Sequence, residues 1–141
     1  MKRNHVVLII LLAGGLVPLV SGQAQTMDKL SEQYVKLVLA MGQHDTDYVD
    51  AYYGPPEWRK AAEAQKRSLA EIDGEAASVI ESPRTSTPAA GDELVRLRHQ
   101  YLTKQLSALR ARIAMLQGKK MTFDEESKAI YDAVAPTHTE A

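Results

Sequence analysis

Apolar residues recur along this chain at the helical interval of three or four, not at the strand interval of two. Leu30, Tyr34, Leu37, Val38 and Met41 fall at i, i+4, i+7, i+8 and i+11, which is one face of a helix. Gly42 follows at a position suited to a C-terminal cap. The polar stretch 43–47 leads into Tyr48-Val49-Asp50-Ala51-Tyr52-Tyr53, where Asp45 or Asp47 is placed to cap a short helix. Gly54-Pro55-Pro56 must interrupt that helix, and Pro56-Glu57-Trp58 can restart one, because proline is tolerated in a first turn. From 57 to about 72 the residues are mostly Ala, Glu, Lys, Arg and Leu, all good helix formers, so one continuous helix is expected there. Asp73-Gly74 weakens the pattern, which resumes to about Glu81. Residues 82–91 read as a loop from their Ser-Pro, Thr-Pro and Ala-Ala-Gly composition.

The clearest helix opens at Asp92. Val95, Leu102, Leu109 and Leu116 are seven apart, Leu106 and Ile113 interleave with them, and His99 takes one seam position. Such a stripe needs partner helices, and few obvious ones stand out in the rest of the chain. Gly118 ends it. Thr122-Phe123-Asp124-Glu125 is a capping box with acids in the first turn, and its helix is expected to run to about Val134, before Pro136. Thr137-His138-Thr139-Glu140 reads either as a second capping box, implying that the chain is cut from a larger protein, or as a frayed polar tail.

The first residues follow a different rule. Lys2 and Arg3 precede an apolar run over 6–20 that contains Gly14, Gly15 and Pro18, and small residues follow at Ser21, Gly22 and Ala24. That order is the order of a cleaved secretory signal. The run is shorter than the ~20 residues of a spanning helix, so a permanent membrane span is not expected. We therefore divide the 141 residues into a signal peptide, 1–24, and a helical segment, 25–141, that is exported to the periplasm or secreted.

Composition narrows the chemistry. The formal net charge is −1, and losing Lys2 and Arg3 with the leader makes the remainder more acidic. That balance argues against a nucleic-acid partner, which needs a cationic footprint. With no cysteine, disulfides, thiolate zinc sites and cysteine nucleophiles are excluded. Beyond the leader, His44, His99 and His138 show no i, i+4 pairing and no HExxH, so no helical zinc pair forms from them. His99 reads as a core or groove histidine, and His44 with Asp45 as turn residues. Asp45, Asp47 and Asp50 lack the later glycine and glutamate of a calcium loop. Arg96, Arg98, Lys104, Arg110, Arg112, Lys119 and Lys120 make a basic stretch with no acid between them. It is a solvated face, a face that pairs with an acidic segment missing from the chain, or an anion site. Tyr48, Tyr52, Tyr53 and Trp58 crowd around Gly54, Pro55 and Pro56, and these seven residues are the candidate site. They either pin a helix corner in the core or form a ledge for a sugar or peptide.

A resemblance adds to this. Tyr34-Val35-Lys36-Leu37, the run Asp45-Thr46-Asp47-Tyr48-Val49-Asp50-Ala51-Tyr52-Tyr53-Gly54-Pro55-Pro56-Glu57-Trp58, the helix over 98–118, Phe123-Asp124-Glu125-Glu126 and Tyr131-Asp132 together resemble the N-terminal part of an uncharacterised bacterial family. Its members are exported, mostly helical, and similar to zinc metallopeptidases through a later helix bearing H-E-G-x-P-G-H-H. In that chemistry two histidines hold the metal and the glutamate activates its water. No stretch of this chain matches the motif, so the resemblance carries over no catalytic or metal-binding residue, and no cofactor is expected on these residues. It implies zinc and a peptide substrate for an intact protein, with this segment packing against the C-terminal part as a wall or lid.

The expectation is an all-α chain of four or five helices, an incomplete array cut from a larger helical protein and inactive by itself. The alternative is a complete small secreted helical binding protein.

Overall fold

A computed structural model describes the backbone of residues 20–81 and 93–136 and the side chains from Met27 onward. The expected leader up to residue 19, the loop 82–91 and the second capping box at 137–140 lie outside the described residues. Among the described residues five helices follow one another, α1 (Val20–Met41), α2 (Pro56–Gln65), α3 (Leu69–Glu81), α4 (Glu93–Leu116) and α5 (Phe123–Tyr131), with one 3-10 turn at Thr46–Tyr48. Among the described residues there is no strand, so the fold is all-α.

The core lies where α1, α3 and α4 meet. Leu37 and Met41 from α1, Ile72 and Ala76 from α3, and Leu106, Leu109 and Ile113 from α4 are all fully buried. The seam of α4 therefore has its partners within this chain, in α1 and α3. These are the partners of which few are obvious from the sequence. α2 packs on α1 and α5 packs on α4. His99 is buried on the seam as expected, whereas Leu116, one turn past Ile113, is 40% exposed because the stripe has outrun the core. On α1 the buried face is wider than its i, i+4 stripe, taking in Met27, Leu39 and Ala40, while Tyr34 is only half-buried against the core.

Helix ends show which local signals won. At Gly118 the backbone turns left-handed, φ +96°; Lys119 N–H bonds the Ala114 carbonyl and Gly118 N–H the Met115 carbonyl, both at 2.9 Å. That double closure at a glycine satisfies carbonyls the helix leaves open. Gly42 closes α1 differently. Its φ is not positive, so it is not a left-handed cap; a Cβ there would sit 3.0 Å from Val49 Cγ2, and the glycine lets the returning chain approach.

The single helix expected over 57–72 is two helices. Lys66 adopts φ +46°, closing α2, and Ser68 opens α3 with a reciprocal pair: Ser68 N–H donates to Glu71 Oε2 at 2.7 Å and Glu71 N–H to Ser68 Oγ at 3.3 Å. The Ser68 hydroxyl, which donates to Glu71 Oε2 at 2.6 Å, and the Ser68 N–H together hold the Glu71 carboxyl below its ordinary range. Gly74 then sits within α3 on its exposed side. The Thr122 box forms as expected, but α5 stops at Tyr131, short of 134. Asp132 takes φ +56°, its N–H bonding the Lys128 carbonyl. Its carboxylate meets Lys104 Nζ at 2.7 Å and Lys128 Nζ at 2.6 Å. An aspartate tolerates this backbone better than most residues.

Candidate functional site

Between α1 and α2 the run from Asp45 to Pro55 is irregular apart from the turn at Thr46–Tyr48, so the short helix expected there is one 3-10 turn. Asp45 stands at the cap position of that turn but makes no capping bond. Its carboxylate is taken by α4 instead: Arg112 donates to Asp45 Oδ2 from Nε at 2.8 Å, and its Nη2 lies within ion-pair distance of the same oxygen at 2.8 Å. The aspartate side chain is 11% exposed and the arginine 36%, so the pair is half-buried and ties the corner to the core helix. His44 adds a second tie, its Nε2 lying 2.6 Å from the Arg67 carbonyl at the break between α2 and α3.

The aromatic residues of the corner go to different places. Tyr48 packs against the core beside Tyr34 and Arg112. Burial, with Tyr34 adding to it, pushes the Tyr48 hydroxyl up to about 12 against the opposing pull of Arg112, so it stays a neutral donor at ordinary pH. Tyr52 folds back on its own turn, donating to the Pro55 carbonyl at 3.0 Å, with the Arg59 guanidinium 5.4 Å from its ring centre. The ring lies where a Cβ on Gly54 would be, 2.5 Å from Tyr52 Oη, which is why a glycine suits that position. Pro56 is the first residue of α2, as its restart predicts. Trp58 is half-buried with Lys36 of α1 5.0 Å from its ring centre. Tyr53 is 97% exposed. Tyr52, Gly54 and Pro55 thus form one tight turn, while Tyr48 and Trp58 meet other partners and Tyr53 meets solvent.

The basic stretch is spoken for by acids from across the fold. Arg98 pairs with Asp28 of α1, Arg110 with Asp73 of α3, Arg112 with Asp45, and Lys104 with Asp132 after α5, while Arg96 pairs with Glu93 on its own helix. For these five residues the acidic partners are supplied from within the chain, so the alternative of a missing acidic segment is not needed for them.

Sequence reasoning missed the place where Tyr48 leads. Between the 46–48 turn, α4 and α5 lies an open groove of about 460 Å³, lined by Tyr34, Tyr48, Gln105, Arg112, Glu126 and Tyr131 among others. Tyr34 Oη donates to Gln105 Oε1 at 3.3 Å across it. No family model, curated protein or solved structure matches this chain. Among the described residues, no group of three or more His, Asp or Glu side chains is arranged to hold a metal ion. Among them, too, no helix is long and apolar enough to cross a membrane.

Proposed function

We propose that this chain serves as the N-terminal helical wall of an exported zinc-dependent peptidase, shaping the enzyme without supplying a catalytic or metal-binding side chain. The sequence likeness of the Asp45-to-Trp58 corner and the flanking helices motivates the reading. The observation that carries it is an exposed apolar surface. Leu97 and Tyr101 follow one another at i and i+4 on α4 and are 47% and 60% exposed. Phe123 and Tyr131 on α5 are each 76% exposed. Isolated exposed apolar residues are ordinary, but a line of them on a helix suits a packing partner. In this reading the partner is the C-terminal part of the same protein, which carries the zinc and meets the peptide substrate.

The test is the reading frame after the Ala141 codon and the product it encodes. The expected result is a frame that continues to a histidine-glutamate motif, and an exported product whose casein hydrolysis is lost with a chelator and restored by zinc. A stop codon at that point, with a product that hydrolyses no peptide, overturns it.

The buried junction of α1, α3 and α4 favours a second reading, a complete small secreted helical binding protein, because such a core can support a domain alone. A thermal melt with a hydrophobic dye separates the two. A broad transition with strong dye uptake fits the wall, and a sharp transition with little uptake fits the binding protein.

A further inference from the structure

The groove beside Tyr48 has a composition that selects a ligand class. The aliphatic part of its lining, termed its floor, comes from Val38 of α1, Ala108 of α4 and Ile130 of α5. Tyr34, Tyr48 and Tyr131 add aromatic side chains to that lining. Its ionisable lining is unbalanced: Asp45, Asp47 and Glu126 face it, and among the described residues lining it Arg112 is the only cation. Arg112 already donates from Nε to Asp45 and is ion-paired with it, so these two charges cancel locally. What remains for a ligand is the negative charge of Asp47 and Glu126 beside the electron-rich faces of aromatic rings.

We propose that this groove binds an organic cation, an ammonium or guanidinium group carried on an aliphatic stem. The aliphatic floor takes the stem. The ring faces attract the cation through their quadrupoles, and the carboxylates of Asp47 and Glu126 supply its counter-charge. An anionic ligand is disfavoured by the same two carboxylates, and a neutral alcohol of the same length gains only the floor. Concave, mainly apolar sites with a few convergent polar groups are the usual form of small-ligand sites. The proposal does not depend on the peptidase reading, because it uses only side chains of this chain.

The experiment is a titration of the purified chain with n-butylamine hydrochloride, followed through the tyrosine ring signals by NMR, with n-butanol and butyrate as matched neutral and anionic probes. Butylammonium is expected to shift the Tyr34 and Tyr48 ring signals saturably in the range of about 1–10 mM, typical of so small a ligand, with butanol and butyrate leaving them in place. Asp47→Asn combined with Glu126→Gln is expected to weaken the binding about fivefold or more, the effect of losing two partly exposed charge partners. Ile130→Lys, which plants the protein's own cation in the groove, is expected to abolish it while leaving the circular dichroism spectrum unchanged. Equal shifts from butanol, no saturable shift from butylammonium, or undiminished binding in a folded Asp47→Asn/Glu126→Gln variant would each overturn the proposal.

Discussion

Removing either member of the Asp45–Arg112 pair should destabilise the protein unequally, and the direction follows from burial. In Arg112→Ala, the Asp45 carboxylate, 11% exposed, loses its ion-pair partner and the Nε donor bonded to it at 2.8 Å. A nearly buried carboxylate left without its partner costs about 2–3 kcal/mol, between the values for exposed and fully buried pairs. In Asp45→Ala, the guanidinium that remains is 36% exposed and can turn its donors to water. That variant should lose about 1 kcal/mol. The double variant should lose less than the sum, giving a coupling energy of about 1 kcal/mol. Urea unfolding at 25 °C, followed by far-UV circular dichroism, measures all three. For a chain of this size, 2 kcal/mol corresponds to a fall in Tm of roughly 6–9 °C. An Asp45→Ala variant less stable than Arg112→Ala would refute the burial argument, and a coupling under about 0.3 kcal/mol would show that the corner is not tied to α4 through this pair.

Leu106→Ala and Leu109→Ala, at positions 1% and 0% exposed, should each cost about 2–5 kcal/mol in the same unfolding assay, whereas Leu94→Ala, 67% exposed, should cost little. Gly118→Ala should cost about 1–2 kcal/mol, because an alanine at φ +96° is strained even though its Cβ meets open space; equal Tm values for variant and parent would contradict this. Glu71, Glu125 and Asp132 are each held below the ordinary carboxyl range by their hydrogen bonds, Asp132 down to about 2. A carboxyl depressed in the folded state contributes stability above its unfolded pKa and loses it as pH falls through the folded one. The Tm should therefore drop between pH 5 and pH 2, and Asp132→Asn should flatten the part of that drop below pH 4.

The parts of the fold legible in the sequence are those set by local spacing. Leu102, Leu106, Leu109 and Ile113 declare a buried face because three- and four-residue steps return to one side of a helix. Thr122 and Glu125 declare a helix start because both halves of their bond pair lie within four residues. The same four-residue signature at Ser68 and Glu71 was equally readable. It was overridden by the helix-favouring composition on either side, which speaks for helix but not for its continuity. The end of α5 was not readable from spacing. Asp132 is held by Lys104, which approaches from another helix, and no local rule reports that.

The candidate site was legible in its residue types and not in its grouping. Seven residues drawn from one stretch were expected to act together, yet each ring answers to whatever its backbone direction brings it against. Tyr48, in the 3-10 turn, reaches α4; Tyr52, two residues before a glycine, closes its own turn; Trp58, in the first turn of α2, lies beside Lys36. The groove that Tyr48 enters joins α1, the turn, α4 and α5, and its central contact joins residues 67 positions apart. Periodicity cannot report such a contact, but charge offers a partial signal. Beyond Glu93, which takes Arg96, α4 carries a run of cations without an acid, so the partners of the others had to come from elsewhere. Three of them come from α1, α3 and the corner, through Arg98, Arg110 and Arg112, and Lys104 reaches past α5. Those pairings leave little of the run to act as an anion site, and they make α4 the element against which the corner and α5 are positioned. The groove inherits its sign from this arrangement. Its guanidinium is occupied in holding Asp45, and the carboxylates of Asp47 and Glu126 remain to face a ligand.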